Sequence, residues 1–119
     1  MSTVLVIDDD PLIREVLRIL LTRAGHLVAL AGDGEEGIER LHAMPADLMI
    51  LDVRMPVLDG FGVLAHVRAR CVGLPVLMLT AEPHSGARAV EAGADAYMRK
   101  PFVNDELLGC VERLIAGAG

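Results

Sequence analysis

The chain has no tryptophan, one tyrosine and two phenylalanines. With aromatics at 3 % and hydrophobic residues at 53 %, its core must be aliphatic. It has two cysteines, Cys71 and Cys110, far apart and without CxxC spacing. That pattern fits two reduced thiols better than a disulfide framework or a cysteine metal site. No apolar run reaches the roughly 18 residues of a membrane span. The N-terminus enters a strand pattern almost at once and leaves no room for a signal peptide, so a cytoplasmic location without membrane contact is expected. Basic residues are scarce: eleven against seventeen acidic ones give a net charge of −6. A surface of that sign repels nucleic acid phosphates, so no direct nucleic acid contact is expected. Lysine is almost absent, since ten of the eleven basic residues are Arg and the remaining one is Lys100.

What the chain does have is a set of short apolar runs that end in polar residues. Val4–Ile7 runs into Asp8-Asp9-Asp10, Leu48–Leu51 into Asp52, Val76–Leu79 into Thr80, and Ala96–Arg99 into Lys100-Pro101. Continuous apolar runs of this length read as buried parallel strands. Strand and helix patterns alternate throughout the 119 residues, which suits a single α/β domain over 1–119. Strands are expected at about 3–8, 27–31, 48–52, 76–80 and 95–99. Helices are expected over 12–24, from the Asp33-Gly34-Glu35-Glu36 capping box to about 43, from an Asp59 cap to about 70, over 87–92, and from 104 to about 116. Asp10-Pro11 reads as an N-cap with Pro at the first helical position. Asn104 is expected to cap the last helix, with Val103 and Leu108 as its hydrophobic staple and residues 117–119 frayed. The fold class is a doubly wound, flavodoxin-like, five-stranded parallel sheet of order 2-1-3-4-5 with five helices.

In such a sheet, ligands bind at the carboxyl ends of the strands, and strands one and three are neighbours at the switch point. Asp8, Asp9 and Asp52 would then converge. Three carboxylates that close cannot all stay ionised unless a cation joins them. Mg²⁺ (or Mn²⁺) suits oxygen donors of this kind. A metal-bound carboxylate can also act as a nucleophile toward phosphorus, which gives Asp52 a role. Thr80 can donate its hydroxyl to a phosphoryl oxygen, and Lys100 can pair with another as a point charge. Asp10 is set aside as a helix cap.

Asp8-Asp9, Leu51-Asp52 with Met55-Pro56 and Asp59-Gly60, Leu79-Thr80-Ala81 and Lys100-Pro101-Phe102 together resemble the receiver domain of two-component response regulators. The resemblance covers essentially the whole chain. It implies that Asp52 accepts a phosphoryl group from a sensor histidine kinase or a histidine phosphotransfer protein. It implies that Asp8, Asp9, Asp52 and the backbone carbonyl of Arg54 hold Mg²⁺. Thr80, the Ala81 backbone and Lys100 would contact the phosphoryl group, and Thr80 and Tyr97 would form the switch. A cis peptide is implied between Lys100 and Pro101. The activity implied is self-phosphorylation and slow self-dephosphorylation, not that of a stand-alone enzyme. The consequence would be a change on the face formed by helix 4, strand 5 and helix 5, read by an output domain or target protein.

The chain departs from the pattern in places. The stretch from Thr80 to Gly93 is about two residues shorter than in most receivers, so the fourth helix should start late and be short. Arg54 and Glu82 should overhang the phosphoryl site from opposite sides and modulate the phosphoryl lifetime. The charges that pair receivers joined to winged-helix domains are incomplete here (Arg88, Glu91, Asp95, Glu112, Arg113), which implies a monomer or weak dimer. His26, His42, His66 and His84 are scattered without metal spacing and are assigned ordinary surface or loop roles. Two other readings fit less well. A haloacid-dehalogenase-type phosphatase needs a second Asp where Arg54 stands, and an FMN binder needs a Ser/Thr/Gly-rich loop where Asp8-Asp9-Asp10 stands.

Overall fold

A computed structural model describes residues 2–70 and 73–118; Cys71 and Gly119 lie outside the described residues. The element order is β1 (Thr3–Ile7), α1 (Pro11–Arg23), β2 (Leu27–Ala31), α2 (Gly34–Ala43), β3 (Leu48–Leu51), α3 (Gly60–Arg70), β4 (Val76–Thr80), α4 (Gly86–Glu91), β5 (Ala96–Arg99) and α5 (Asn104–Ala118). The five strands form one parallel sheet of order β2-β1-β3-β4-β5.

Successive residues on a strand point to opposite faces. The apolar runs therefore feed two separate cores. Val4 and Val6 of β1, Leu48 and Ile50 of β3 and Leu77 and Leu79 of β4 pack with Leu17 and Leu21 of α1 and Leu107 and Val111 of α5. Leu5, Ile7, Met49, Leu51 and Met78 pack on the other face with Phe61, Val63, Leu64 and Val67 of α3 and Ala89 of α4. This is why the strands read as unbroken apolar runs and not as alternation. Each fully buried Leu or Ile contributes about 1.5–3 kcal/mol of transfer free energy, so the sheet's centre is its most stable part. The edge strands β2 and β5 are less buried, with Leu27 and Arg99 exposed.

Several caps follow the sequence. Asp10 accepts from the Leu12 amide at 2.9 Å, with Pro11 opening α1. Asp59 accepts from the Gly62 amide at 2.9 Å and so caps α3. Asp33 accepts from the Glu36 amide at 2.8 Å, but Glu36 reaches back to the amide of Gly32, one residue earlier than a capping box requires. Gly25 and Gly93 end α1 and α4 at φ +94° and +97°, conformations that suit glycine.

The last helix differs from expectation at both ends. The Leu107 amide donates to the Val103 carbonyl at 3.0 Å, so Val103 holds the N-cap position and Asn104 is the first helical residue. The staple moves with it. Val103 is exposed, whereas Phe102 packs on the cluster that buries Leu107. At its far end α5 continues through Ala118, beyond the expected end near 116. His26 differs too. His26 is buried and bonds through Nε2 to Glu112 Oε1 at 2.9 Å. His42 and His66, distant in sequence, meet across α2 and α3 with their Nε2 atoms 3.3 Å apart.

Candidate functional site

Strand register brings the acidic residues together. Ile7 and Leu51 are paired neighbours on β1 and β3, and the Asp52 amide donates to the Ile7 carbonyl at 3.0 Å. Asp8 and Asp52 therefore leave adjacent strands at the same level. Both are buried, whereas Asp9 is exposed. Carboxylate oxygens of Asp8, Asp9 and Asp52 all lie within 4.8 Å of one another. Asp8 is fixed on two sides, its Oδ1 accepting from the Asp10 amide at 2.9 Å and its carbonyl from Arg14 at 2.7 Å.

Lys100 enters from β5. The Lys100–Pro101 peptide is cis, as expected. The Lys100 amide donates to the Thr80 carbonyl at 2.9 Å, which ties the ends of β4 and β5. Its Nζ lies 2.6 Å from Asp8 Oδ2 and 3.6 Å from Asp52 Oδ2. Thr80, buried at the end of β4, accepts through Oγ1 from the Glu82 amide at 3.1 Å.

The electrostatics are unbalanced at Asp52. Burial, then the Asp8 carboxylate, push its proton affinity above the ordinary carboxylate value. Lys100, the Thr80 hydroxyl and the Val53 amide pull against them without prevailing. A buried carboxylate beside another favours either a proton or an added cation. Oxygen donors from two buried carboxylates and one exposed one match the needs of a hard divalent ion that keeps some of its water. The residues present thus fit such an ion.

Asp52, Arg54, Thr80, Ala81, Glu82, Pro83 and Lys100 line a cleft of about 380 Å³. Arg54 and Glu82 close an ion pair over it, with Arg54 78 % exposed and Glu82 only 17 %. The expected overhang is therefore a made contact, anchored from the Glu82 side. Tyr97 is half-buried and donates its hydroxyl to the Glu82 carbonyl at 2.7 Å. It thereby touches the segment that follows Thr80. The short fourth helix is also present, at six residues.

Two supports of the site were not evident in the sequence. A Cβ at Gly60 would stand 2.1 Å from the Asp52 carbonyl oxygen, so only glycine lets α3 start directly behind Asp52. The Asp59-Gly60 pair carries that signal, as a helix cap and as part of the family resemblance, but neither shows the contact with the Asp52 carbonyl. Arg14 holds the Asp8 carbonyl from α1, six positions along the chain, and no local pattern announces it. Next to the cleft lies a wider groove of about 610 Å³, bounded by Phe61 and by Arg88, whose guanidinium stacks 3.9 Å over the Phe61 ring.

A doubly wound sheet carrying three carboxylates, a hydroxyl and an ammonium at the carboxyl ends of β1, β3, β4 and β5 defines a class of phosphoryl- and cation-handling domains. Comparison with known proteins narrows the class. Residues 4–112 match the family model of the response regulator receiver domain. The chain is 42 % identical over 114 residues to the response regulator MprA of Mycobacterium ulcerans, covering 94 % of this chain and 49 % of that protein. It thus spans about half the length of the curated relatives it matches. Among solved structures it resembles the chemotaxis protein CheY4 of Vibrio cholerae, with TM-score 0.90 and 35 % identity over 96 % of this chain and 98 % of that one. It also resembles the response regulator TrrA of Thermotoga maritima, solved in complex with Mg²⁺–BeF, with TM-score 0.90 and 35 % identity over 96 % and 99 %. The chain belongs to the response regulator receiver domain family, the phosphorylation-dependent switches of two-component signalling. Among the described residues, no helix is long and apolar enough to cross a membrane.

Proposed function

We propose that residues 1–119 act as one receiver unit in which Asp52 is the phosphoacceptor. The observation that carries this reading is the placement of Lys100 Nζ, 2.6 Å from Asp8 and 3.6 Å from Asp52, in a cleft that Thr80 also lines. An Asp52 carboxylate oxygen attacks phosphorus, the O–P bond forms, and the P–N bond to the donor's phosphohistidine breaks. The electron pair leaves on the imidazole. The donor class is a sensor histidine kinase or a histidine phosphotransfer protein.

Asp8, Asp9, Asp52 and the Arg54 carbonyl would hold Mg²⁺ or Mn²⁺, which when bound supplies neutralisation of charge on the phosphoryl oxygens. The remaining work falls to the chain itself. Lys100 shifts its ammonium from the two carboxylates to a phosphoryl oxygen. Thr80 gives up the Glu82 amide and turns its hydroxyl to another oxygen, with the Ala81 amide beside it. Releasing the Glu82 amide loosens the segment whose carbonyl holds the Tyr97 hydroxyl, so Tyr97 can report the change to the face of α4, β5 and α5. An output domain or target protein reads that face, and the domain works as a monomer or weak dimer. Hydrolysis of the aspartyl phosphate by water returns the switch to its ground state. The domain thus catalyses only its own phosphorylation and dephosphorylation.

The test is incubation with Mg²⁺ and acetyl phosphate followed by intact mass. One phosphate adduct in the wild type and none in Asp52→Asn is expected. An adduct that survives in Asp52→Asn would sink the assignment.

A further inference from the structure

Outside the acidic cleft, two histidines from different helices meet. His42 lies near the end of α2 and His66 within α3, and their rings meet edge to face, with interplanar angle 84° and centroids 5.5 Å apart. The two Nε2 atoms face each other at 3.3 Å. Imidazole nitrogens bind Zn²⁺ at about 2.0–2.1 Å. Two such bonds spanning 3.3 Å enclose an angle of about 107°, close to the tetrahedral value. The spacing lets both nitrogens reach one ion once the rings turn from their present, nearly head-on contact.

The hydrogen bonds say how the pair stands without a metal. Arg70 can only donate, and its Nη1 lies 3.2 Å from His66 Nδ1. His66 Nδ1 is then the acceptor and Nε2 carries the proton. That proton is donated to His42 Nε2, which holds a free lone pair.

We propose that His42 and His66 form a two-imidazole site for a borderline divalent transition metal such as Zn²⁺ or Ni²⁺, with water in the remaining positions. Nitrogen donors select such ions over Mg²⁺, so this site and the acidic cleft discriminate by ligand type. The ion takes the place of the bridging proton. His66 moves that proton from Nε2 to Nδ1, and Arg70 swings away into solvent, with no net proton released. Arg70 therefore acts as a competitor of the metal. The bound ion ties α2 to α3 and stabilises the folded chain by mass action.

The test uses the full, tag-free chain with saturating Mg²⁺ present to fill the acidic cleft. Ni²⁺ and Zn²⁺ are titrated by calorimetry, and thermal melts are recorded with each ion. One ion per chain is expected for wild type, with binding weakened at least tenfold in both His42→Ala and His66→Ala. Arg70→Ala is expected to bind several-fold more tightly than wild type, an effect a purely structural histidine pair would not show. No binding by wild type overturns the proposal, as does an isotherm unchanged in both histidine variants.

Discussion

The Lys100 ammonium and the Asp8 carboxylate form an ion pair of 2.6 Å, with 15 % and 3 % of their side chains exposed. The only lysine of the chain thus serves as the internal counter-ion of its acidic cleft. Removing one partner of a buried pair leaves the other charge uncompensated, at about 3–5 kcal/mol. Lys100→Met should therefore lose about 3 kcal/mol of stability in urea unfolding without divalent ions, within that range. Mg²⁺ should restore most of the loss. A variant as stable as wild type in the absence of Mg²⁺ would show that the carboxylates need no counter-ion.

Asp52 sets a pH dependence of its own. Burial, then Asp8, raise its folded-state value above the ordinary 3.8. Between those two values the folded state binds more protons than the unfolded state, so stability falls as pH rises. The penalty is absent below the unfolded value and complete above the folded one. Asp52→Asn removes the ionisable group. It should melt at a higher temperature than wild type at neutral pH without Mg²⁺, and lose that advantage below pH 3.8. Mg²⁺ should raise the wild-type melting point more than that of the variant. Equal pH profiles for the two proteins would contradict the shift.

The strands, their order and the cleft's membership were legible because each rests on a strong local signal. Unbroken apolar runs mark buried parallel strands, and in a parallel sheet the residue at or just past a strand's carboxyl end falls in the site. Asp8, Asp52, Thr80 and Lys100 were found that way. Asp10 and Asp59 were legible as caps because Pro11 and Gly60 follow them. Asn104 misled because it has the chemistry of an N-cap, whereas tertiary packing of Phe102 starts the helix one residue earlier. His42 and His66 could not be paired from sequence, since their meeting depends on how α2 and α3 sit on the sheet. Arg14 and the back of Gly60 were hidden for the same reason: their partners are backbone carbonyls that carry no sequence label.

Val57 stands in the loop between Asp52 and α3 at φ +70°, closing a tight turn in which the Leu58 amide donates to the Pro56 carbonyl at 2.8 Å. A β-branched residue is strained there, and this one is 95 % exposed, so it returns no packing. Val57→Gly relieves the strain, of order 1–3 kcal/mol, against the extra chain entropy that glycine loses on folding, about 0.5–1 kcal/mol. A net gain of about 1 kcal/mol in chemical denaturation is expected from these opposing terms. A loss of stability would mean that the turn relaxes without cost.

The Arg54–Glu82 pair covers the mouth of the cleft. With its Arg54 side in solvent, the pair adds at most about 1 kcal/mol to stability. Its effect should lie on water access to the aspartyl phosphate. Arg54→Ala and Glu82→Ala are expected to shorten the phosphoryl lifetime several-fold, followed by loss of the intact-mass adduct after the donor is removed, with melting temperatures nearly unchanged. Unaltered decay in both variants would end the idea.

Helix α4 is the least supported element beside the site. It has six residues, and Ser85 precedes it without a side-chain cap. An isolated turn and a half of helix is unstable in water, so packing must hold it. That packing is narrow: Ala89 is its buried residue, Val90 is exposed, and Arg88 lies over Phe61. β4, a few residues earlier, is buried throughout. Local opening is cheapest where few buried contacts must break. Amide hydrogen exchange should therefore be at least a hundredfold faster in residues 86–91 than in 76–80 of the unphosphorylated protein. Phe61→Ala, which removes the platform under Arg88, should widen the gap. Protection of α4 equal to that of β4 would show that its few anchors suffice, and the segment could not then serve as the mobile part of the switch.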